Sequence, residues 1–454
     1  MKRNFEKYLN KWKNKSNRKP LIIRGARQVG KTYTVERFAI QNYEVFIKIN
    51  FEEKPELKEF FQTNDITQIK QNLEIYFGQK IVPNKTLLFL DEIQVCPEAI
   101  TTLRYFYEKS PEIHIIAAGS LLDHTLNNLR YSMPVGRVEF GYMYPLDFYE
   151  FLDAIGKSSL VEFLINYNLN EKIAPAIHNK LLEQVRLYYL VGGMPETVKV
   201  FTNENSFVDV ENVHESIIKT LEYDFGKYGT RKDRDNLVKT LRYIPKSIGK
   251  KFRYRNVADN ERTENIKRAI NLLRMSRIVH FVYSTTSSKV PLESGAKGKI
   301  FKPVFMDIGL VNHILKLRLL NVKNLITGNE GDLAEQFIGQ QLLTMFPEFI
   351  DAQLYYWQRE KRNAESEIDF VTEYDNEIIP VEVKSGKTGS LKSLHIYIAE
   401  KHFERAVRFN IDFPSVGEIN HTVNIGDSTK TAKYRLLSLP LYLVKEYGRL
   451  IREN

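Results

Sequence analysis

Apolar runs of strand length alternate with helix-length stretches in the first third of the chain. The runs are partly β-branched and lie at Leu21–Ile23, Tyr43–Ile49, Thr86–Leu90 and Ile113–Ala118. A helix-length stretch follows each of them. This alternation predicts a parallel sheet covered by helices on both faces, so the expected fold class is α/β.

Strand-like runs disappear between residues 145 and 219, where the pattern predicts a helical lid on the α/β domain. Two further helices are expected at Leu237–Ile244 and Thr263–Met275, the second because its apolar residues recur at helical spacing. The apolar runs Ile278–Tyr283 and Ile300–Met306 follow as a β-hairpin. Helix, helix and hairpin in this order predict a winged helix.

A smaller α/β pattern occupies the C-terminal part. It begins with a helix at Asp332–Met345 and continues with strands at Leu354–Trp357, Glu367–Thr372 and Ile378–Val383. The predicted organisation is therefore a parallel-sheet core, a helical lid, a winged helix and a smaller α/β domain, at residues 1–144, 145–225, 226–312 and 313–454.

Composition excludes several classes of protein. Of the 454 residues, 43% are hydrophobic and 27% are charged, which excludes a mostly disordered chain, a collagen-like fibre and a polytopic membrane protein. Cys96 is the only cysteine, so an intrachain disulfide and a thiolate metal cage are excluded and a reducing compartment fits. No apolar stretch follows the basic N-terminus as a signal sequence would require. We expect a cytoplasmic protein without a membrane partner.

Positive charge is concentrated in one segment. Residues 226–300 contain 19 Lys or Arg and 6 Asp or Glu, a net charge of +13, which leaves −3 for the rest of a chain of net charge +10. Cations alternate with aromatics in Lys250–Arg255. Further cations surround the second predicted helix: Arg262, Lys267, Arg268, Arg274 and Arg277. In a winged helix this helix enters the DNA major groove, so DNA is a predicted partner. A solvated basic face, or a surface for an acidic protein, is the alternative.

A complete phosphate-loop signature, G-x-x-x-x-G-K-[ST], follows the first apolar run. Its members are the predicted nucleotide-binding residues Gly25, Ala26, Arg27, Gln28, Val29, Gly30, Lys31 and Thr32. The glycines allow backbone N–H groups to face phosphates at a helix N-terminus. Lys31 would reach the β- and γ-phosphates and Thr32 would bind Mg²⁺, so ATP and Mg²⁺ are the expected cofactors. The alternative is a chance glycine-rich turn.

Two carboxylates end the apolar run that begins at Leu87. Asp91 and Glu92 lie at the carboxyl end of a predicted strand, where open α/β sheets bind ligands. Asp91 would hold Mg²⁺ through water, and Glu92 would polarise the attacking water as a general base. Their position 60 residues after Lys31 supports the phosphate-loop interpretation.

Two more residues are candidates for the same reaction. Ser120, which follows the run Ile113–Ala118, would sense the γ-phosphate; a plain strand-to-turn boundary is the alternative. Arg137 is a candidate arginine finger, with an ordinary surface arginine as the alternative. Such a finger acts on a neighbouring subunit only in a ring or dimer, so a homo-oligomer is possible but not required by the sequence.

Five motifs in order resemble the prokaryotic AAA-type ATPases. They are Arg24–Thr32, Leu90–Gln94, Ala118–Leu121, Gly136–Arg137 with Pro145–Phe148, and Gly192–Glu196. The resemblance covers essentially the whole chain. It implies a P-loop ATPase core followed by a winged helix and a nuclease-like domain of poorly characterised function. Gly192–Glu196 is a marker of this family to which the sequence assigns no mechanism.

The C-terminal pattern looks like a restriction-endonuclease type of core. Glu335 lies on a predicted helix, Asp369 on a strand, and Glu382 and Lys384 on one face of another strand. The three carboxylates would bind Mg²⁺, which would activate water for attack on phosphorus. Lys384 would offset the charge that develops on the phosphate. An exposed, salt-bridged strand end is the alternative explanation of the E-x-K pair.

These features predict an AAA-type ATPase that couples ATP hydrolysis to DNA engagement, with Mg²⁺-dependent DNA cleavage as an open addition. The alternative is a nucleotide-switched regulator that binds DNA or protein and has an inactive nuclease-like domain. A small-molecule kinase would share the phosphate loop but would not need Asp369, Glu382 and Lys384.

Overall fold

The computed structural model describes most of the chain. The described residues are 1–119, 134, 136–227, 229–317, 330–359, 366–384, 391–425 and 428–453. They form two compact units. The first unit comprises Met1–Leu146, Asn271–Ile278 and Phe346–Asp351, and the second comprises Asp147–Ile270, Val279–Met345 and Ala352–Asn454. Among the described residues, no helix is both long and apolar enough to cross a bilayer.

The first unit contains a parallel sheet in the order β2-β3-β4-β1-β5. Its strands are β1 (Leu21–Arg24), β2 (Val45–Asn50), β3 (Thr86–Asp91), β4 (His114–Gly119) and β5 (Glu139–Tyr142). The parallel sheet predicted from the alternation of apolar runs is confirmed. The sequence pattern did not predict β5.

Helices surround this sheet and bury their apolar faces against it. They are α1 (Phe5–Lys13), α2 (Lys31–Asn42), α3 (Ile66–Phe77) and α4 (Pro97–Lys109). The strand register pairs Arg24 with Gly119 and Asn50 with Asp91. The carboxyl ends of β1 to β4 therefore share one edge of the sheet, and β1 and β3 deliver the phosphate loop and Asp91 to that edge.

The second unit combines helices with a mixed sheet. Its helices are α5 (Phe148–Ala154), α6 (Ser158–Asn166), α7 (Pro175–Val191), α8 (Pro195–Glu204), α9 (Phe207–Asp224), α10 (Arg231–Tyr243), α11 (Thr263–Met275, whose residues from Asn271 belong to the first unit), α12 (Ile308–Leu315), α13 (Glu330–Leu343), α14 (Lys392–Lys401) and α15 (Tyr447–Arg452). The helices α5 to α9, which the sequence predicts as a lid, thus belong to the same unit as the C-terminal strands.

The described strands of this unit form a sheet in the order β12-β13-β11-β10-β9-β8-β6-β7. They are β6 (Val279–Thr285), β7 (Ala296–Phe305), β8 (Leu354–Gln358), β9 (Glu367–Tyr374), β10 (Glu377–Val383), β11 (Arg405–Asn410), β12 (Ser415–Ile425) and β13 (Ser428–Pro440). The expected antiparallel hairpin is present as β6 and β7.

The pairing of this hairpin contradicts the prediction that the winged helix is a module separate from the C-terminal domain. Strand β6 also pairs in parallel with β8, Val282 lying opposite Leu354. The hairpin is therefore the edge of the C-terminal sheet, and the predicted boundary between residues 312 and 313 does not separate two sheets.

A buried carboxylate accounts for the first glycine of the Gly192–Glu196 motif. Gly192 has φ 73° and ψ −170°, and a Cβ at this position would overlap Oδ1 of Asp307. Asp307 is fully buried and accepts hydrogen bonds from the backbone N–H groups of Gly193 (2.6 Å) and Leu310 (3.2 Å). Burial raises the pKa of Asp307 to about 6, against the lowering effect of these backbone bonds. The motif thus ties the α7–α8 turn to the start of α12.

Candidate functional site

The phosphate loop connects β1 to α2 with a backbone that requires glycine at two positions. A Cβ on Gly25 would overlap the carbonyl oxygen of Met143. Gly30 precedes the first helical residue with φ 91°, in the left-handed region that favours glycine. Gly25 is therefore needed because the Met143 carbonyl oxygen lies too close for a Cβ, and Gly30 is favoured because of its left-handed backbone.

Arg3 braces this loop, and the sequence pattern did not identify it. Its guanidinium is buried and donates to the carbonyl oxygens of Val29 (2.8 Å) and Tyr144 (2.7 Å). The basic N-terminal segment gave no signal that separated Arg3 from its solvated neighbours. The arginine holds the loop backbone in place from outside the signature.

The lysine of the signature points back into the loop. Lys31 Nζ donates to the carbonyl oxygens of Gly25 (3.0 Å) and Ala26 (2.8 Å). Burial lowers the pKa of Lys31 to about 8, although the charges of Glu92 and Asp91 oppose this shift. The Lys31 ammonium group therefore donates to backbone carbonyl oxygens. A negatively charged ligand in the loop would take the place of these oxygens as its hydrogen-bond acceptor.

The two halves of the nucleotide signature meet at the strand ends. Thr32 Oγ1 donates to Asp91 Oδ2 at 2.9 Å. Asp91 is buried, and burial raises its pKa while the hydrogen bond from Thr32 lowers it. Lys48 Nζ, on β2, lies 3.9 Å from the same oxygen and was not predicted. A hydroxyl and a carboxylate side by side are hard oxygen donors, so these residues fit Mg²⁺.

Glu92 is held by a neighbour two residues further along the chain. It lies just past β3 with φ 51°, and its Oε2 accepts a hydrogen bond from Gln94 Nε2 at 2.5 Å. Gln94 is buried beneath it. The carboxylate is thus positioned at the same sheet edge as Asp91, and the positioning role of Gln94 was not predicted.

The structure says less about the other two residues predicted to act in ATP hydrolysis, Arg137 and Ser120. Arg137 donates to Glu108 Oε1 at 2.9 Å on a half-exposed surface. Ser120 lies outside the described residues. Their roles as arginine finger and sensor stay predictions.

The structure also brings the predicted C-terminal residues together. Asp369 Oδ2 accepts from the backbone N–H of Val383 at 2.7 Å, and Lys384 Nζ donates to Glu382 Oε1 at 2.5 Å. Burial raises the pKa of Glu382 to about 8, and the charge of Asp369 adds to this shift. Burial likewise raises the pKa of Glu335 to about 8. The carboxylates therefore share a buried, charge-dense site.

Two residues of this site, Lys302 and Glu367, were missed. Lys302 on β7 forms ion pairs with Glu335, with Glu367 (3.1 Å) and with Asp369 (3.9 Å). A single lysine in the otherwise apolar run Ile300–Met306 was the available signal. We name Glu335, Glu367, Asp369 and Glu382 the carboxylate cluster.

The metal role predicted for this cluster does not fit its arrangement. Over the described ranges, no group of three or more His, Cys, Asp or Glu side chains is placed to hold a metal ion. The ammonium of Lys302 lies among the oxygens that would coordinate one. In the folded protein, the ammonium group of Lys302 offsets part of the negative charge of these carboxylates.

The aromatics of the basic run contact another aromatic side chain, and Phe252 is buried whereas Tyr254 is partly exposed. Phe252 stacks on Phe301 with 5.4 Å between ring centroids, and Tyr254 meets the same ring edge-on. Lys250 pairs with Asp332 at 2.7 Å, and Lys251 lies 3.8 Å from Glu367. These aromatics therefore have packing partners, and nucleic-acid contact by the interleaved cations stays a prediction.

The comparisons with known families agree with the sheet order. Residues 17–152 match a family described as an AAA domain. The N-terminal part is AAA-like. Residues 182–321 and 330–414 match two families described as domains of unknown function, DUF8612 and DUF4143. A comparison with curated proteins gives no match.

Solved structures provide weaker similarities. The Aeropyrum pernix ORC2 protein in ADPNP–ADP complexes is 13% identical, with 71% of this chain and 92% of that chain covered and a TM-score of 0.33. The A. pernix ORC1 protein in complex with DNA is 10% identical, with 69% and 90% covered and a TM-score of 0.26. For C. elegans PCH-2 the identity is 12%, the coverage 44% and 59%, and the TM-score 0.26. The assignment of the AAA-like part therefore depends on the family match and the sheet order.

Proposed function

We propose that this protein is an ATPase that couples ATP hydrolysis to the engagement of DNA. The observation that carries the first half is the hydrogen bond from Thr32 to Asp91, which joins the phosphate loop to the acidic strand end. A nucleotide site needs both halves at one edge of the sheet. The AAA-domain match over residues 17–152 supports the same conclusion.

Each residue of the site has a distinct task in this proposal. The loop from Gly25 to Thr32 would bind the phosphates through backbone N–H groups, and Lys31 would exchange its carbonyl partners for phosphate oxygens. Thr32 and Asp91 would hold Mg²⁺, which would neutralise charge on the β- and γ-phosphates. Glu92 would accept the proton of the attacking water, in an orientation fixed by Gln94.

Lys31→Ala tests the nucleotide site. The variant is expected to bind ATP at least about tenfold more weakly, because a charge-assisted hydrogen bond contributes roughly 1.5–3 kcal/mol. Binding is measured with a fluorescent ATP analogue, and hydrolysis by phosphate release. The control is Lys7→Ala, an exposed lysine of the same unit. Wild-type binding and hydrolysis in Lys31→Ala would refute the proposed site.

DNA is proposed as the partner of the exposed cations at the start of α11. This helix buries Ile266 and Ile270, whereas Arg262 and Lys267 are exposed. Phosphate contacts of this kind give an affinity that falls with salt. The excess of positive charge in residues 226–300 supports this assignment.

The double variant Arg262→Ala/Lys267→Ala is expected to bind duplex DNA more weakly at low salt. The slope of log affinity against log salt should fall by about 2, because each neutralised phosphate contributes about 0.9. Fluorescence anisotropy over a salt titration measures both quantities. Lys172→Ala/Lys180→Ala removes two exposed cations elsewhere in the same unit and should leave the slope unchanged. Equal slopes for both variants would exclude this DNA surface.

The second candidate is a nucleotide-switched regulator with an inactive nuclease-like domain. The lysine among the carboxylates favours it, because nuclease chemistry would need a metal ion there. Incubation of supercoiled plasmid with Mg²⁺ tests whether the nuclease-like domain cleaves DNA, and nicking that disappears in Lys384→Ala indicates cleavage. Absence of nicking, with a DNA affinity that ATP binding still changes in Glu92→Gln, indicates the regulator, because the change then does not need hydrolysis.

A further inference from the structure

We propose that the ammonium group of Lys302 is the resident cation of the carboxylate cluster and excludes divalent metal ions from it. The proposal rests on the second candidate function, the regulator with an inactive nuclease-like domain, because a cluster that holds lysine in place of a metal ion cannot carry out metal-dependent cleavage. Cation binding itself is independent of ATP and DNA. The two ideas can therefore fail separately.

The geometry places Lys302 in the centre of the cluster. Its side chain is 1% exposed and projects from β7 to three carboxylates on two other elements, Glu335 on α13 and Glu367 and Asp369 on β9. A buried ammonium is costly unless it is fully paired. The pairing here is with three acids at once, which is the environment of a bound cation and not that of a surface ion pair.

The charges of the cluster are nearly balanced without a metal. The ammonium groups of Lys302, Lys384 and Lys251 each pair with a carboxylate of the cluster and offset its negative charge. A divalent ion within bonding distance of Glu335 and Asp369 would lie a few ångströms from Lys302 Nζ. Repulsion between the two cations at that distance is strong in a buried site. Lysine and metal thus compete for the same oxygens.

One carboxylate oxygen of the cluster is not occupied by a lysine ammonium group. Glu382 is 3% exposed; its Oε1 accepts from Lys384, whereas its Oε2 is buried without a hydrogen-bond partner among the described residues. Buried polar atoms are normally satisfied. An unsatisfied carboxylate oxygen beside Asp369 is a ligand that a cation would use once Lys302 was removed.

Lys302→Met in the 454-residue chain tests the proposal. Methionine keeps the length and apolar stem of the side chain and removes its charge. We expect the variant to bind Mn²⁺ about 100-fold or more tightly than the wild type, because a buried positive charge is lost. Free Mn²⁺ is followed by electron paramagnetic resonance, and a rise in Tm with Mn²⁺ provides the second readout. Lys384→Met is the control and should gain much less.

Further variants assign the bound ion to the cluster. Lys302→Met/Glu335→Gln should lose the gained affinity, and Lys302→Arg, which keeps the charge, should not gain it. Mn²⁺ that still binds after Asp369→Asn lies elsewhere, for example at the phosphate loop. If Lys302→Met folds only when Mn²⁺ is present, this supports the proposal directly.

Two results would overturn the proposal that Lys302 is the resident cation of the carboxylate cluster. The first is tight Mn²⁺ binding by the wild-type protein that Asp369→Asn abolishes, a measurement that needs no folded Lys302 variant. The second is a folded Lys302→Met protein without added affinity. A Lys302→Met protein that binds Mn²⁺ but never nicks plasmid supports the resident-cation proposal and excludes the nuclease function.

Discussion

Glu92→Gln is expected to reduce ATP turnover by about 10²- to 10⁴-fold and to leave ATP binding intact, because positioned general bases contribute rate factors of about this size. Gln has nearly the same shape as Glu but cannot accept the proton of the attacking water. The residue has φ 51°, and Gln carries no added branch that would make this backbone more strained. Binding depends on the phosphate loop, which the substitution does not touch.

Phosphate release under saturating ATP and binding of a fluorescent analogue separate the two effects. Glu53→Gln, an exposed acid of the same unit, is the control and should retain full turnover. Turnover at the wild-type rate in Glu92→Gln would exclude Glu92 as the base. Loss of binding together with turnover would instead assign it a structural role in the strand end.

The strands of the first unit were predictable because of how they are buried. Strands of a parallel sheet covered on both faces are continuous apolar runs, and β1, β3 and β4 have this pattern. Strand β2 is only partly buried, but its apolar residues alternate with polar ones at the period of a strand. Strand β5, Glu139–Tyr142, is short and mostly half-buried, so its sequence contains no such run. The local signal failed at β5 because a four-residue strand with one fully buried residue offers neither an apolar run nor a clear alternation.

The architecture of the second unit was not predictable from local patterns. Both strands of the β6–β7 hairpin were expected, but β6 pairs with β8 through residues far apart in sequence, Val282 and Leu354. Periodicity specifies which face of a strand is apolar and does not specify its distant neighbour. The hairpin was therefore assigned to a module of its own.

The candidate sites also contain residues that a local sequence pattern predicts and residues that it does not. Lys31, Thr32 and Asp91 were found from spacing, because phosphate chemistry requires fixed residue types on a fixed loop. Arg3 and Lys302 act through a contact with residues remote in the chain, and neither lies in a motif. Charged residues that brace a site from another element become visible only in three dimensions.

Gly192→Ala is expected to be the most destabilising substitution discussed for this chain. At φ 73° and ψ −170° the backbone of Gly192 is in a region that is essentially restricted to glycine. The added Cβ would also overlap the Asp307 carboxylate and force it away from the N–H groups of Gly193 and Leu310. Backbone strain and lost buried hydrogen bonds together should lower the free energy of unfolding by about 4 kcal/mol or more.

Gly156→Ala is the matched control, since Gly156 also has φ 73° in the same unit but has open space where the Cβ would be. Its cost should be about 1 kcal/mol, that of the left-handed backbone alone. Urea unfolding followed by circular dichroism measures both variants, and the difference between them contains the contact with Asp307 and the additional strain of the Gly192 backbone at ψ −170°. Equal destabilisation by the two substitutions would show that the glycine is needed for its backbone alone. A loss in Gly192→Ala that exceeds the roughly 3 kcal/mol upper range of backbone strain would assign the motif its mechanism, a turn that must pass within contact distance of a buried carboxylate.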